Sequence, residues 1–330
     1  MNNQSEYQNQ QISSILSFEN IKGASQLLKE SWKIYENKFH SFLKIIIIPA
    51  FLFFFLQIIF KYFLSSYTGY TLNYLLDILT TPGWIIFITV SLFYLFVMII
   101  FLVTIPALIY RIKEKNGIKE IYCNSFKILP SLFYIIIIEG FIIFGTIFFL
   151  AIFRGIQEFS ITLARSFSSW FLLFPLAGAI FAIWFSLSFF TLIFEGKKGI
   201  NALLSSKQLI FGRFESVLWR FFILFIVIGI VTLPLQILSK TLEKVWIFGS
   251  LFPILIELLI LPFVMIYGYL IYENLKILKK DISYQPPSGK EKILFNLVAI
   301  IGVLTLIVWI IKSISTPVTL LRELLFFLIF

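Results

Sequence analysis

Residues 42–64 read FLKIIIIPAFLFFFLQIIFKYFL. A helix that crosses a bilayer takes about 20 mostly apolar residues to traverse roughly 30 Å of hydrocarbon, and this run supplies them. Ile45-Ile46-Ile47-Ile48 and Phe53-Phe54-Phe55 leave almost no polar interruption. In lipid only a helix can satisfy each backbone N–H and C=O within such a segment. The other solution, a membrane barrel, requires alternating strands of about ten residues, and that alternation is absent.

Working outward, six more runs match it: 84–109, 131–153, 170–194, 217–238, 246–272 and 293–311. The chain is 59% apolar and only 13% charged. A soluble domain carries about 25% charged residues, and with so few charges it would expose large apolar patches and aggregate. The expected fold is therefore all-α: a polytopic integral membrane bundle of six or seven transmembrane helices.

The net charge is +10, but the basic residues lie in short clusters between apolar runs and form no basic soluble module. Nucleic-acid binding is not expected. Before the first run come Lys22, Lys29, Lys33, Lys38 and Lys44. The second connection has Arg111, Lys113, Lys115, Lys119 and Lys127; the fourth has Lys197, Lys198, Lys207, Arg213 and Arg220; the sixth has Lys276, Lys279, Lys280, Lys290 and Lys292. The intervening connections carry only Lys61, then Arg154 and Arg165, then Lys240 and Lys244. The positive-inside rule then places the N-terminus and the even-numbered connections in the cytoplasm, in a multi-pass protein of the cytoplasmic (inner) membrane. Trp84, Trp170, Trp219, Trp246 and Trp309 fall at or near run ends, as expected for rings in the head-group belt.

Residues 1–18 are polar and Gln/Asn-rich; they read as a disordered cytoplasmic tail without a cleavable signal peptide. The membrane domain is expected over 19–285, with an additional transmembrane helix and an apolar tail over 286–330. Whether Val318–Phe330 re-enters the membrane stays open.

Three cytoplasmic segments look alike. In the first, Ala24, Leu27, Leu28, Trp32, Tyr35 and Phe39 recur at three- and four-residue spacing among Lys, Glu, Gln and Asn. This is the pattern of an amphipathic helix lying along the interface and feeding into a span. The second runs from Gly117 to Ile128 and the third from Gly199 through Phe214. Aligning Ser31, Ser125 and Ser206 superposes Leu28, Tyr122 and Leu203, and then Ile34, Ile128 and Leu209. The chain reads as a threefold internal repeat of interfacial helix plus transmembrane hairpin, about 20–110, 111–195 and 196–280.

The stretch Leu28-Lys29-Glu30-Ser31-Trp32-Lys33-Ile34-Tyr35-Glu36-Asn37-Lys38-Phe39 resembles the opening of bacterial glycerophosphoryl diester phosphodiesterase membrane domains and their stand-alone relatives. Phe194-Glu195-Gly196-Lys197-Lys198-Gly199 through Arg213-Phe214 resembles that family's mid-domain segment. Leu270-Ile271-Tyr272-Glu273-Asn274-Leu275-Lys276 resembles its closing Tyr-x-Asp-Leu-Arg pattern, with Asn and Lys in place of Asp and Arg. The resemblance covers roughly residues 20–280. It implies the membrane domain alone, since the phosphodiesterase of such proteins is a separate barrel of about 250 residues, for which this chain has no soluble stretch.

Two carboxylates, Glu139 and Glu257, fall inside runs, each about nine residues in from opposite faces and hence near the midplane. A charge there is costly, so such acids are usually paired, protonated or functional. Helix–helix hydrogen bonding and proton or ion coupling are both open readings. Pro253 and Pro262 bracket Glu257, a pattern that would suit a broken helix at a binding site. Gly178 and Ala182 have small-xxx-small spacing. With His40 as the one histidine and Cys123 as the one cysteine, no zinc or haem site is expected, and no cofactor. No nucleophile triad, phosphate-cradling glycine motif or paired aqueous carboxylates occur.

A non-enzymatic protein is therefore expected, one that organises the membrane or contacts lipids or a partner. Anionic head groups on the cytoplasmic side would meet Lys29, Trp32, Lys33, Lys38, Lys119, Lys127, Lys207 and Arg213. The alternative is a permease for a small or lipid-like solute, possibly proton-coupled through Glu139 and Glu257.

Overall fold

The computed structural model describes residues 21–67, 82–113, 117–157, 173–242, 248–279 and 289–314. All regular structure among them is helical. The helices are α1 (Ala24–Tyr67), α2 (Pro82–Lys113), α3 (Ile118–Gln157), α4 (Leu173–Phe185), α5 (Ser188–Glu195), α6 (Ile200–Ile210), α7 (Phe214–Leu242), α8 (Phe248–Leu278) and α9 (Gly289–Ile314).

Over the described residues each of the seven apolar runs falls on helix, the fourth interrupted between Phe185 and Ser188. Among the described residues, five stretches are long and apolar enough to cross a membrane: Ala24–Leu56, Leu92–Lys113, Ile118–Phe141, Gly178–Glu195 and Phe214–Leu238. The sixth and seventh runs lie on α8 and α9. The tails at 1–18 and 318–330 lie outside the described residues, as do Trp170 and Trp246 and the side chains of Trp84 and Trp309.

The expected interfacial helices require a correction. The first two are not separate elements. Helix α1 runs unbroken for 44 residues, roughly 66 Å at 1.5 Å per residue, about twice the hydrocarbon thickness. Helix α3 likewise runs 40 residues from Ile118. In both, the amphipathic segment is the outer end of the spanning helix. Neither segment contains a residue that must leave the helical conformation. The third does: Gly212 takes φ 79°, and α6 stops there before α7 begins.

The chain divides into two compact units. The first comprises residues 1–129 and 215–281, and in it α1 packs against α8 and α2. Its core includes Leu27, Phe42, Ile45, Leu108, Ile109, Ile121, Ile266 and Tyr267. The second comprises residues 130–214 and 282–330, with α6 packed on α4 and α5. Phe185, Leu187, Ala202, Leu203 and Ile210 are buried there. In this unit Phe295 of α9 packs edge-on against Phe185 and Phe181, with ring centroids 5.6 and 6.2 Å apart.

Candidate functional site

The outer halves of α1 and α3 carry the cationic surface. On α1 the exposed residues up to Lys44 are Ser25, Gln26, Lys29, Trp32, Lys33, Glu36, Asn37, His40, Leu43 and Lys44. On the same face the next turns expose Ile47, Ile48, Phe51 and Phe55. One helix face thus changes from polar to apolar between Lys44 and Ile47, which is what crossing from head groups into hydrocarbon demands. Helix α3 repeats the change. Lys119, Glu120, Cys123 and Lys127 are exposed, followed by Phe133, Tyr134 and Ile137. Trp32, 59% exposed, and Phe126 provide aromatic bulk among the charges.

Two of the expected lipid-contacting cations turn inward instead. The Lys38 ammonium donates to the carbonyl oxygens of Arg111 (3.2 Å) and Ile112 (2.6 Å). These are carbonyls of the last turn of α2, where a cation offsets the negative helix end. Arg111 in turn donates to the Ser41 hydroxyl at 2.9 Å. Lys207 is held by Glu291 at 3.4 Å and lies over the rings of Trp184 and Phe295, 5.4 and 5.3 Å from their centroids. Arg213 is half-buried in the link between α6 and α7. Lys29, Trp32, Lys33, Lys119 and Lys127 remain as the outward group.

The three aligned serines, Ser31, Ser125 and Ser206, are each 0% exposed. Four residues before each stands another fully buried side chain: Leu27, Ile121 and Ala202. The hydroxyls do different work. Ser125 donates to the Ile121 carbonyl of its own turn at 2.8 Å, whereas the Ser31 hydroxyl has no hydrogen-bond partner among the described residues.

Ser206 repairs a break in the fourth apolar run. Helix α4 ends at Phe185 and α5 starts at Ser188. The Ser206 hydroxyl donates to the Trp184 carbonyl at 2.6 Å and accepts from the Leu187 N–H at 3.2 Å. Thr191 ties α5 to α6 by donating to the Ala202 carbonyl at 3.0 Å. The turn that follows is built on Gly196 (φ 67°) and Gly199 (φ 56°), with Lys197 paired to Glu195 at 2.7 Å and donating to Ser205 at 2.7 Å. The break expected around Glu257 lies here instead. Helix α8 continues through both Pro253 and Pro262, because membrane helices re-satisfy the carbonyl that a proline frees.

Glu139 is half-buried on α3, with no hydrogen-bond or ion-pair partner among the described residues. The side chain of Glu257 lies outside the described residues, as does any contact it makes. Gly178 is buried and Ala182 half-buried. Cys123 is exposed as a free thiol, and His40 is exposed. Among the described residues no group of three His, Cys, Asp or Glu comes together to hold a metal ion.

Arg220 is the residue that sequence reasoning passed over, since it counted only toward the charge of the fourth connection. It is buried in α7 and donates to the carbonyls of Ile21, Lys22 and Ser216, while its own carbonyl accepts from the Tyr267 hydroxyl at 3.1 Å. The available signal was its position inside the fifth apolar run, next to Trp219. Lys22, whose carbonyl it holds, pairs with Glu30 at 2.8 Å. That hydrogen-bonded ammonium holds the Glu30 carboxyl below its ordinary value, against the opposing effect of burial. No family model, curated protein or solved structure matches this chain.

Proposed function

We propose that the protein is a non-enzymatic, multi-pass protein of the cytoplasmic membrane, N-terminus inside, that gathers anionic lipid head groups on its cytoplasmic face. The carrying observation is the face shared by the two halves of α1 and of α3: Lys29, Trp32, Lys33 and Lys44 pass into Ile47 and Phe51, and Lys119 and Lys127 into Phe133 and Ile137. Such a helix presents its basic residues on the cytoplasmic side of the apolar turns, where each one near the membrane surface is worth about 1 kcal/mol of attraction to anionic lipid. The like burial of Ser31, Ser125 and Ser206 supports reading the entry segments as repeats. On this reading α8 and α9 also cross the membrane. The resemblance to phosphodiesterase membrane domains points the same way, toward a membrane module without the enzyme.

The test is reconstitution in mixed phosphatidylglycerol and phosphatidylcholine nanodiscs, with the annular lipid quantified after extraction. The protein should enrich phosphatidylglycerol, and joint Lys29→Gln, Lys33→Gln, Lys119→Gln and Lys127→Gln substitution should halve the enrichment. An annulus matching the bulk composition would end the proposal.

A second reading has one observation in its favour. An acid within a span that has no protein partner among the described residues, Glu139, suits a titrating group better than helix–helix glue. On that reading the protein is a proton-coupled permease. Wild-type proteoliposomes would carry a proton flux that Glu139→Gln abolishes, and no flux in the wild type removes the idea.

A further inference from the structure

We propose that α1 carries a hinge at Pro49 that Tyr122 of α3 latches, with Thr104 of α2 as the acceptor the phenol takes when it lets go.

Pro49 lies inside α1 and is buried. A proline has no N–H, so the carbonyl four residues earlier loses its helical donor, and the ring crowds that same carbonyl. The carbonyl belongs to Ile45, which is 0% exposed. Left unpaired away from water it would be costly. The Tyr122 hydroxyl donates to it at 2.7 Å. A neighbouring helix thus restores the donor that Pro49 removes from α1. Unlike a helical bond, the restored one is broken by turning a single side chain.

The phenol has a second acceptor in place. Thr104 is 0% exposed, and its hydroxyl lies within hydrogen-bond reach of Tyr122. Thr104 donates its own proton to the Ile100 carbonyl at 2.9 Å, which leaves its oxygen able to accept. Tyr122 can therefore exchange Ile45 for Thr104 without stranding its own O–H. Two discrete arrangements of one element are what a switch requires. Bonds between membrane helices are individually weak, so the exchange is within thermal reach. Release lets the crowded carbonyl tilt outward, and the helix bends at Pro49.

The two sides of the hinge are held differently. Before it, Tyr35 donates to the Leu259 carbonyl of α8 at 3.1 Å, and Lys38 donates to the last turn of α2. Beyond it, the described side chains from Ala50 to Leu56 are all apolar, with Phe51 and Phe55 exposed. The cationic half of α1 is therefore anchored by polar bonds, and the apolar half is the part that moves. Pro49 stands just past the change of the exposed face between Lys44 and Ile47, so the bend falls where the two halves of α1 meet.

The full-length protein in nanodiscs, carrying Cys123→Ser to remove the free thiol, is spin-labelled through Asn37→Cys and Phe55→Cys, both exposed positions. Straight helix between the labels spans about 27 Å, and the distance distribution is read by double electron–electron resonance. Latched helix should give one narrow distance. Tyr122→Phe removes only the hydroxyl and should raise the share of a second, bent distance about fivefold, as expected for the loss of one hydrogen bond. Pro49→Ala returns an N–H to Ile45, so adding it to Tyr122→Phe should restore the narrow distribution. Thr104→Val withdraws the second acceptor and should keep the bent share at or below the wild-type value.

An unchanged distribution in Tyr122→Phe overturns the latch. Broadening that Pro49→Ala does not reverse overturns the hinge, because the loosening then lies elsewhere. A bent share raised by Thr104→Val removes Thr104 as the released partner and overturns the switch. If Tyr122→Phe alone fails to fold, recovery of folding on adding Pro49→Ala supports the latch, and continued failure overturns it.

Discussion

The Ser206 hydroxyl donates to the Trp184 carbonyl at 2.6 Å across the gap between α4 and α5, and the same oxygen accepts from Leu187. One side chain from α6 thereby satisfies two backbone groups released where the fourth apolar run leaves the helical ladder. In a membrane such groups have no water to fall back on.

Replacing Ser206 by Ala leaves a buried carbonyl and a buried N–H unpaired, at about 1–3 kcal/mol for such groups. Ser125→Ala removes a hydroxyl that bonds only its own helix turn, so no other group loses its only partner, and the effect should stay under about 1 kcal/mol. Thermal unfolding in detergent compares them directly. Equal shifts in Tm would show that the bridge across the break contributes nothing.

Lys207 joins α6 to the start of α9 through Glu291 and the face of Phe295. A cation–π contact is worth about 0.5–2 kcal/mol, and a partly exposed ion pair adds up to about 1. Lys207→Met keeps the stem and removes the charge. Hydrogen exchange of the amides at 290–297 should then quicken several-fold, while exchange in the core of α1 stays unchanged. Glu291→Gln should produce the smaller part of the effect, because both rings remain.

The helical class and the positions of the runs were legible because apolar length leaves a chain in lipid few alternatives, as in 42–64. The three serines aligned from the sequence, Ser31, Ser125 and Ser206, are all buried. Hydropathy could not tell an interfacial helix from the projecting end of a span: both give the Ala24, Leu27, Leu28 and Trp32 spacing, and only the unbroken backbone through Lys44 separates them. The inward turn of Lys38 and Lys207 was equally hidden, because a lysine is drawn to a helix end or an aromatic ring by partners distant in sequence. Proline was a poor guide to the break. The interruption follows Phe185, where Ser206 waits 21 residues on, while α8 continues through Pro253 and Pro262.

The turn between α5 and α6 is sensitive to side-chain addition in a graded way. Gly196 (φ 67°, ψ 12°) is in the left-handed α region, which costs a residue with a Cβ about 1–2 kcal/mol, whereas Gly199 (φ 56°, ψ −133°) is in a region that glycine alone adopts readily. A Cβ on Gly196 would meet open space, whereas one on Gly199 would come 2.9 Å from Cε1 of Tyr134. Gly199→Ala should therefore destabilise more than Gly196→Ala. Adding Tyr134→Ala should narrow the difference by relieving the ring contact, and an unchanged difference would place the cost of Gly199→Ala in the backbone alone.

The Lys22–Glu30 pair next to the Arg220 clasp should make the start of α1 acid-sensitive. The Glu30 carboxyl is held below its ordinary value by the Lys22 ammonium. A carboxylate depressed on folding stabilises the folded state above its unfolded value, about 4.3. That contribution is lost as pH falls through the lower folded value. The ion pair is partly exposed, so the loss is local fraying with no global unfolding. Amide exchange at 23–31, corrected for intrinsic pH dependence, should accelerate below about pH 4. Glu30→Gln should show the fast exchange already at pH 7 and lose the acid step. A variant that kept the step would move the titration to another group.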